Sequence, residues 1–394
     1  MHPVILNLPF GISIKAYGLM MMCGFFAATW WAMHRANKVK ADPDVILNLG
    51  FICLLAGVVG ARLFYVLQFW QDFANQPRPL MAILNVTSGG LVFYGGFLLA
   101  ALCALVYLIR AKHSIRLYLD ILAPSLMLGL AFGRIGCFLN GCCWGAPTQK
   151  VPWAVQFPFG WESTPFMAHW ERSLLNVPEQ LLYPPPGYGL PMPIHREHVR
   201  MSAQALLAPQ QKLDRQREAL EQAKKANAAP DTIAALQEEV KAAKQKADEH
   251  RKEYFDMLYA CERYGQTPSD IAALAAHHRS LPVHPTQLYA VVDALLIAAL
   301  LHAIFMRRRQ QGLCFGLVFI FYGIGRFIEE MIRGDNPANW RLLGMDFTLS
   351  QLISIYTALL AVVYLVVLYR LPATPPTAVR LVPSPQEAEA PAGK

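Results

Sequence analysis

The chain has 394 residues, of which 55% are hydrophobic and only 16% are charged. This composition is too apolar for an ordinary soluble domain of this length, so it predicts an integral membrane protein. The formal net charge of +8 does not indicate a nucleic-acid partner, because the basic residues stand in short clusters beside apolar runs rather than along one polar face. We therefore expect membrane lipids, and no nucleic acid, around this chain.

Seven apolar runs are long enough to cross a bilayer, since a helix needs about 20 apolar residues to span the hydrocarbon core. The sequence therefore predicts an all-α polytopic membrane protein with seven transmembrane helices. Spans one to four, with an outer motif loop, belong to 1–160, and spans five to seven belong to 284–370. The runs lie near 17–34, 46–68, 91–109, 118–139, 285–306, 312–332 and 349–369.

Basic clusters follow alternate apolar runs and predict the orientation of the chain. All of them fall on one side of the membrane, and the positive-inside rule makes that side cytoplasmic. The N-terminus and the segment 140–283 are then extracytoplasmic, and the C-terminus is cytoplasmic. The clusters are Arg35, Lys38 and Lys40; Arg110, Lys112 and Arg116; Arg307, Arg308 and Arg309; and Arg370.

The segment 161–283 differs in composition from the apolar runs and is predicted to be an extracytoplasmic head insert. Residues from about 203 to 263 are rich in strong helix formers, and Ala229-Pro230-Asp231 interrupts them, so we predict a charged antiparallel helical hairpin. A solvated spacer and a partner-binding module are both compatible with such a hairpin. The Pro- and Ala-rich tail 371–394 is predicted to be a disordered cytoplasmic segment.

The eight cysteines raise the question of disulfides or a metal site. Most of them lie inside apolar stretches, where a thiol behaves as a small hydrophobe, so no disulfide framework is predicted. Cys137, Cys142 and Cys143 are close in sequence, but their spacing matches no paired C-x-x-C zinc pattern and no partner histidines accompany them. We therefore predict neither a metal nor another cofactor.

Several ionisable residues fall inside the predicted spans, where an unpaired charge is expensive, and each is therefore a candidate for a functional site. The simpler alternative is that Arg62 and Arg134 reach the membrane surface and that Asp120 caps a helix. The residues are Arg62, Asp120, Arg134, Asp293, Arg326, Glu329 and Glu330.

Arg326 stands in a stripe of polar residues that recur at steps of three and four and would share one face of the sixth helix. Such a face is a buried polar surface within the membrane. A purely structural ion pair between helices is the alternative. The stripe consists of Tyr322, Arg326, Glu329, Glu330 and Arg333.

Two glycine clusters, 133–145 and 88–96, lie on the predicted outer side. Glycine lets backbone come close to a ligand and helix N-termini favour anions, so a phosphate corner that includes Gly95 and Gly96 is one interpretation. Close helix packing in lipid is the other. Together with two arginines, the clusters suggest a pocket for the head group of an anionic phospholipid.

The run from Gly133-Arg134 to Gly145 resembles the signature of the bacterial prolipoprotein diacylglyceryl transferases. Further segments agree with this family in order and spacing, and the resemblance covers about 1–160 and 280–370. The hairpin and the tail lie outside it. The further segments are Ala16-Tyr17-Gly18-Leu19-Met20, Gly60-Ala61-Arg62-Leu63-Phe64-Tyr65, His284-Pro285-Thr286-Gln287-Leu288-Tyr289, and Tyr322 to Arg333.

The resemblance implies transfer of an sn-1,2-diacylglyceryl group from phosphatidylglycerol to the thiol of the lipobox cysteine in a prelipoprotein signal peptide. The products are a thioether and glycerol phosphate, and the implied location is the bacterial cytoplasmic (inner) membrane. By resemblance, the family uses the positions of Tyr17, Arg134, Asn140, Gly145, Arg326 and Glu330. We predict catalytic roles for Arg134, Arg326, Tyr17, Glu330 and Tyr94, and phosphatidylglycerol binding by Arg134, Asn140, Gly145, Gly95, Gly96, His284, Gln287, Tyr322, Arg62 and Arg333.

The implied reaction expels a phosphate, whose developing charge needs cations aimed at it, and Arg134 and Arg326 are predicted to supply them. Many family members carry histidine where this chain has Tyr94, and a tyrosine hydroxyl is a poor base at neutral pH. We therefore predict that Tyr94 orients the head group while the arginines favour the thiolate. His284 is predicted to brace the fifth helix and is kept only as a backup proton acceptor. The identity of the base stays open, and a transporter or a structural scaffold is the alternative function.

Overall fold

The computed structural model of the chain describes residues 4–8, 12–74, 79–84, 90–160, 163–185, 187, 190–336, 340–342 and 345–372. The predicted tail lies outside the described residues from position 373 onward. Most described residues are helical. In chain order the elements are β1 (Val4–Leu8), β2 (Ile12–Lys15), α1 (Ala16–Lys38), α2 (Pro43–Gln68), α3 (Trp70–Ala74), α4 (Pro79–Leu84), α5 (Phe93–Arg110), α6 (Ile115–Asn140), α7 (Thr164–Glu171), β3 (Leu182–Tyr183), β4 (Met192–Pro193), α8 (Arg196–Val199), α9 (Ala203–Lys225), α10 (Pro230–Glu253), α11 (Phe255–Tyr264), α12 (Pro268–His277), α13 (Thr286–Arg307), α14 (Leu313–Ile332), β5 (Trp340–Leu342), β6 (Met345–Phe347) and α15 (Leu349–Arg370).

Seven of these helices coincide with the seven apolar runs. Five of them, α1, α2, α6, α13 and α15, are long and apolar enough to cross a membrane. Of the other two, α5 is apolar but shorter, and α14 carries the charges of Arg326, Glu329 and Glu330. A mostly helical, multi-pass membrane protein is therefore confirmed, whereas the count of seven crossings stays a prediction. The sequence did not predict the three antiparallel strand pairs β1–β2, β3–β4 and β5–β6.

The chain divides into two compact units, which are described separately below. The span unit comprises Val4–Cys137, Gln287–Met331 and Asn336–Lys394. The head unit contains Phe138–Thr286 and Ile332–Asp335. The apolar helices therefore belong mainly to the span unit, and α7 to α12 belong to the head unit.

A buried ion pair in the span unit joins α6 to the segment between α13 and α14. The side chains of Asp120 and Arg308 are both 0% exposed, and Nε of Arg308 lies 2.9 Å from Oδ2 of Asp120. The carboxylate also accepts hydrogen bonds from the backbone N–H of Gly312 at 2.8 Å and of Phe315 at 3.0 Å. Asp120 is thus a helix cap, as the simpler interpretation had it, but it caps α14 rather than its own helix.

Arg35 was assigned to a basic loop, and the structure corrects this assignment. Arg35 lies within α1 and is 0% exposed. Its Nε and Nη2 donate hydrogen bonds to the carbonyl oxygen of Ile121 at 3.1 and 2.9 Å, and Nη2 also donates to Ser125. The guanidinium stands over the Trp31 ring, 4.2 Å from its centroid. Arg35, like the buried Arg308, therefore stabilises helix packing and is no simple orientation signal.

Glycines bring α2 and α5 into close contact. A Cβ at Gly60 would lie 2.5 Å from the carbonyl oxygen of Gly95, and a Cβ at Gly96 would lie 2.6 Å from that of Gly57. Real Cβ atoms do not approach a carbonyl oxygen so closely, so only glycine fits at these positions. The structure therefore gives Gly95 and Gly96 the packing role that was the alternative to a phosphate corner.

We expect Gly96→Leu to lower the free energy of unfolding by about 1–3 kcal/mol or more, because the added side chain would push α2 and α5 apart. Gly57→Ala is the matched control, since a Cβ at Gly57 meets no atom within 4 Å and alanine favours helix over glycine by about 1 kcal/mol. Thermal unfolding of both variants in detergent measures the difference. Equal stability of the two variants would contradict the close contact.

The charged residues of the head unit form an antiparallel helix pair, α9 and α10. Leu213 packs against Ala243 and Ala247, and Nε2 of Gln216 donates to Oε2 of Glu239 at 3.3 Å. The partner numbers fall as the α9 numbers rise, so the two helices run in opposite directions. The pair ends at residue 253, earlier than the predicted 263, because α11 leaves it and packs into the core of the head unit.

His169 ties α7 to the segment that precedes α13 in the head unit. The side chain is fully buried, and its Nδ1 accepts a hydrogen bond from the backbone N–H of Leu281 at 3.2 Å. Its ring stands edge-on to Trp144, with 5.0 Å between ring centroids. Burial, and secondly the charge of Arg172, hold the pKa of His169 below its usual value of 6.5.

Acid should therefore destabilise the protein through His169. Because its folded pKa lies below the unfolded value, its contribution to stability is present above the unfolded value of 6.5 and is lost as the pH falls through the folded pKa. We expect the unfolding temperature of the full chain to drop between about pH 7 and pH 5, and His169→Gln to reduce that drop. Parallel pH profiles for the two proteins would contradict the role of this histidine.

Candidate active site

The second half of α6 presents one face to α1 and another to α14. A Cβ at Gly136 would lie 3.0 Å from Cδ2 of Tyr17, and one at Gly133 would lie 3.3 Å from the sulfur of Met21. Glycines at these positions let α1 come close to α6. Arg134, on the same helix, contacts α14. Tyr17 therefore packs against the helix that carries Arg134.

Arg134 and Arg326 meet at one carboxylate. Nη1 of Arg134 lies 3.4 Å from Oε1 of Glu329, and Nη1 of Arg326 lies 3.3 Å from Oε2 of the same side chain. All three side chains are nearly buried, with at most 11% of each exposed. The structure therefore brings together, from α6 and α14, the two cations that were predicted to face the phosphate.

Glu330 holds Arg326 from the other side. Nη2 of Arg326 lies 2.5 Å from Oε2 of Glu330 and also donates to Oγ of Ser350 on α15 at 3.2 Å. The amide of Asn336 donates to Oε1 of Glu330. The planar fork of the guanidinium thus contacts two helices at once, which fixes its orientation better than a lysine ammonium could.

Two guanidinium groups and two carboxylates form this site, and the carboxylate of Asp293 on α13 is close enough to interact electrostatically with Glu329. Such pairing satisfies each buried charge and joins α6 to α14, so the alternative of a structural ion pair describes part of what it does. The arrangement also presents two guanidinium groups to one anion, which is the geometry that binds phosphate.

Arg333 does not belong to the polar stripe of the sixth apolar helix. That helix, α14, ends at Ile332, and Arg333 instead forms two parallel contacts to the carboxylate of Asp335, from Nε and Nη2, both at 2.9 Å. Both residues belong to the head unit. The regular three- and four-residue spacing was misleading here, because the spacing continues past the point where the helix ends.

Arg62 is buried, which corrects the interpretation that it reaches the membrane surface. Its Nε donates to the carbonyl oxygen of Ile83 at 2.8 Å, Nη2 to that of Ala82 at 2.6 Å, and Nη1 to that of Gly90 at 3.0 Å. The guanidinium therefore organises the chain between α2 and α5.

Tyr94, in the first turn of α5, has 56% of its surface exposed.

The remaining predicted residues lie in varied surroundings. In the head unit, the N–H of Gly145 donates to the carbonyl oxygen of His284 at 3.0 Å, and a Cβ at Gly145 would lie 2.6 Å from Cβ of His284. The structure thus uses Gly145 for close backbone packing. Asn140 is exposed at the last residue of α6, whereas Gln287 is completely buried in the first turn of α13. Tyr322 is half-buried against the core of the span unit.

Three residues of the site were missing from the sequence-based prediction of roles. Glu329 was noticed as a charge at bilayer depth, and its position three residues after Arg326 was the signal for an ion pair within α14. Its contact with Arg134, 195 positions earlier, had no local signal. Neither Ser350 nor Asn336 carries a charge or motif that sequence reasoning could have used.

A sequence model of the family described as prolipoprotein diacylglyceryl transferase matches residues 3–195 and 257–367. The chain belongs to this family. The matched residues contain all of Arg134, Arg326, Glu329 and Glu330, and the gap contains α9 and α10. The helix pair is therefore outside the part of the chain that defines the family, as the resemblance indicated. The match extends beyond the resemblance, however, since it includes residues up to 195 and from 257 onward.

Individual family members named phosphatidylglycerol–prolipoprotein diacylglyceryl transferase are similar to this chain. That of Clostridium tetani is 24% identical over 362 residues, which are 92% of this chain and 96% of the relative. That of Rhodopirellula baltica is 38% identical over 154 residues, or 39% of this chain and 31% of the relative. That of Pectobacterium carotovorum is 36% identical over 151 residues, or 37% of this chain and 51% of the relative. The chain thus spans nearly all of the first relative but less than two thirds of the other two.

Proposed function

We propose that this chain transfers the sn-1,2-diacylglyceryl group of phosphatidylglycerol to the lipobox cysteine thiol of prelipoproteins, forming a thioether and releasing glycerol phosphate. Family membership supports the reaction. The structural observation that supports it most is the approach of the Arg134 and Arg326 guanidinium groups to one carboxylate, at 3.4 and 3.3 Å. Two cations held this close can bind one phosphate.

The chemistry follows from that geometry. The lipobox sulfur attacks the glyceryl carbon, a carbon–sulfur bond forms, and the carbon–oxygen bond to phosphate breaks with its electron pair on oxygen. Arg134 and Arg326 stabilise the charge that develops there, in a site with little water to screen it. Glu330, Ser350 and Asn336 hold Arg326 in place, so the cation needs little reorganisation during the reaction. The thiol proton balances the new phosphate charge.

The same proposal includes the finer topology. All seven apolar helices cross a bacterial cytoplasmic membrane, with the N-terminus and the residues 140–283 outside and the tail inside. The placement of basic residues such as Arg110, Arg307 and Arg309 after alternate spans supports this orientation. Pairing of the α14 charges with each other and with Arg134 lowers the cost of burying them in a span.

Mass spectrometry of a lipobox peptide tests the function. Full-length protein in nanodiscs that contain phosphatidylglycerol should add the mass of one diacylglyceryl group to the peptide. A peptide with serine in place of the cysteine, and nanodiscs of phosphatidylcholine alone, are the controls and should give no product. No addition to the cysteine peptide, or equal addition to the serine peptide, would contradict the proposed function.

A further inference from the structure

Glu329 occupies the position between the two arginines, although it is not fixed there tightly. Its contacts of 3.4 and 3.3 Å exceed the roughly 2.7–2.9 Å of a charge-assisted hydrogen bond. The neighbouring pair of Arg326 and Glu330 is much closer, at 2.5 Å. Of the two carboxylates, Glu329 is therefore the one that can leave Arg326 more easily.

A phosphate cannot join this arrangement without a change in it. A phosphodiester brings one negative charge to a site in which two cations already face Glu329 and Glu330. Two like charges in direct contact repel strongly in a nearly buried site, where little water screens them. The phosphate therefore binds between Arg134 and Arg326 only when Glu329 gives up that position.

We propose that Glu329 and the substrate phosphate exchange on Arg134 and Arg326, an inference that rests on the proposed function. Before substrate binds, Glu329 holds the two guanidinium groups together. It moves aside when the phosphodiester binds, while Glu330 stays on Arg326. After transfer, the carboxylate returns and helps to expel glycerol phosphate, which carries more negative charge than the phosphodiester because a phosphomonoester can ionise twice. Glu329 is thus a positioning residue that acts through the arginines.

The exchange predicts the direction of an affinity change. Glu329→Gln removes the competing charge with little change of shape, so glycerol phosphate should bind the full-length variant at least about tenfold more tightly than the natural protein. Phosphatidylglycerol should show a lower KM, and kcat should fall because product release becomes slow. A residue that merely braces the arginines gives the opposite result, weaker binding and a higher KM.

Equilibrium dialysis of radiolabelled glycerol phosphate against the protein in phosphatidylcholine nanodiscs measures that affinity. Glu262→Gln is the matched control, because Glu262 forms an exposed ion pair with Arg251 at 2.9 Å in the head unit. The affinity of this control variant for glycerol phosphate should equal that of the natural protein. Glu329→Asp keeps the charge on a shorter side chain and should bind with an affinity between those of the natural protein and Glu329→Gln. It also serves as the test variant if the glutamine variant fails to fold.

Unchanged or weaker binding by the Glu329 variant would overturn the exchange. This outcome differs from a failure of the proposed function. If the natural protein transfers no diacylglyceryl group and binds no glycerol phosphate, the function itself is wrong. If the natural protein does both and the variant binds no more tightly, only the exchange is wrong.

Discussion

Arg326→Ala should lower the rate of diacylglyceryl transfer by about 10²–10³-fold, the loss typical when one group that stabilises a transition-state charge is removed from a preorganised site. Arg326 is the residue most strongly fixed in the site, by Glu330 at 2.5 Å and by Ser350 at 3.2 Å. Initial rates with a lipobox peptide, normalised to the folded fraction of each protein, measure the effect.

Two further variants separate the effect of the Arg326 charge from the effect of its shape and from unspecific losses. Arg326→Lys should recover only part of the rate, because an ammonium keeps the charge but lacks the fork that contacts α14 and α15 together. Arg341→Ala removes an exposed arginine in β5 and should leave the rate unchanged. A loss of less than about tenfold for Arg326→Ala would mean that its cation does not face the developing charge.

Asp120→Ala should lower the free energy of unfolding by about 3–5 kcal/mol, the cost of leaving a buried charge without its partner. The variant would remove the carboxylate that pairs with the Arg308 guanidinium, whose side chain is 0% exposed. It would also remove the acceptor of the Gly312 and Phe315 N–H groups. Unfolding of the full chain in mixed micelles with increasing denaturing detergent measures the loss.

Asp214→Ala is the matched control for that experiment. Asp214 pairs with Arg217 on the surface of α9 at 3.9 Å, with about half of each side chain exposed, and such pairs contribute about 0–1 kcal/mol. If Asp120→Ala costs no more than Asp214→Ala, the buried ion pair does not stabilise the contact between α6 and the segment that connects α13 to α14.

The apolar helices could be predicted closely because length and hydropathy decide them. The run 349–369 became α15, Leu349–Arg370, and the run 285–306 became α13, Thr286–Arg307. The first run was predicted to end at 34, but α1 continues to Lys38. Arg35 interrupts the apolar run but not the helix, because its side chain is buried against α6. The sequence could not show this, since its hydrogen-bond partners Ile121 and Ser125 lie 86 and 90 positions away.

Glycine and arginine positions were harder to interpret because each residue type serves more than one purpose. The glycines at 95 and 96 suggested a phosphate corner, which stays a prediction, whereas their close packing against residues of α2, such as Gly60, is visible only in the structure. Arg62, like Arg134, stands near the outer end of an apolar run, yet its N–H groups donate hydrogen bonds to backbone carbonyl oxygens. The convergence of Arg134 and Arg326 was predicted from the needs of the chemistry, and the structure bears out their proximity through Glu329.

A double-mutant cycle tests most directly whether Arg134 and Arg326 act on one phosphate. The affinity for glycerol phosphate is measured for Arg134→Gln, Arg326→Gln and the double variant, each as full-length protein in nanodiscs. Because one anion needs both cations, each single change should remove most of the affinity, and the double variant should bind only slightly more weakly than either single one. Two independent losses that multiply in the double variant would contradict a shared phosphate.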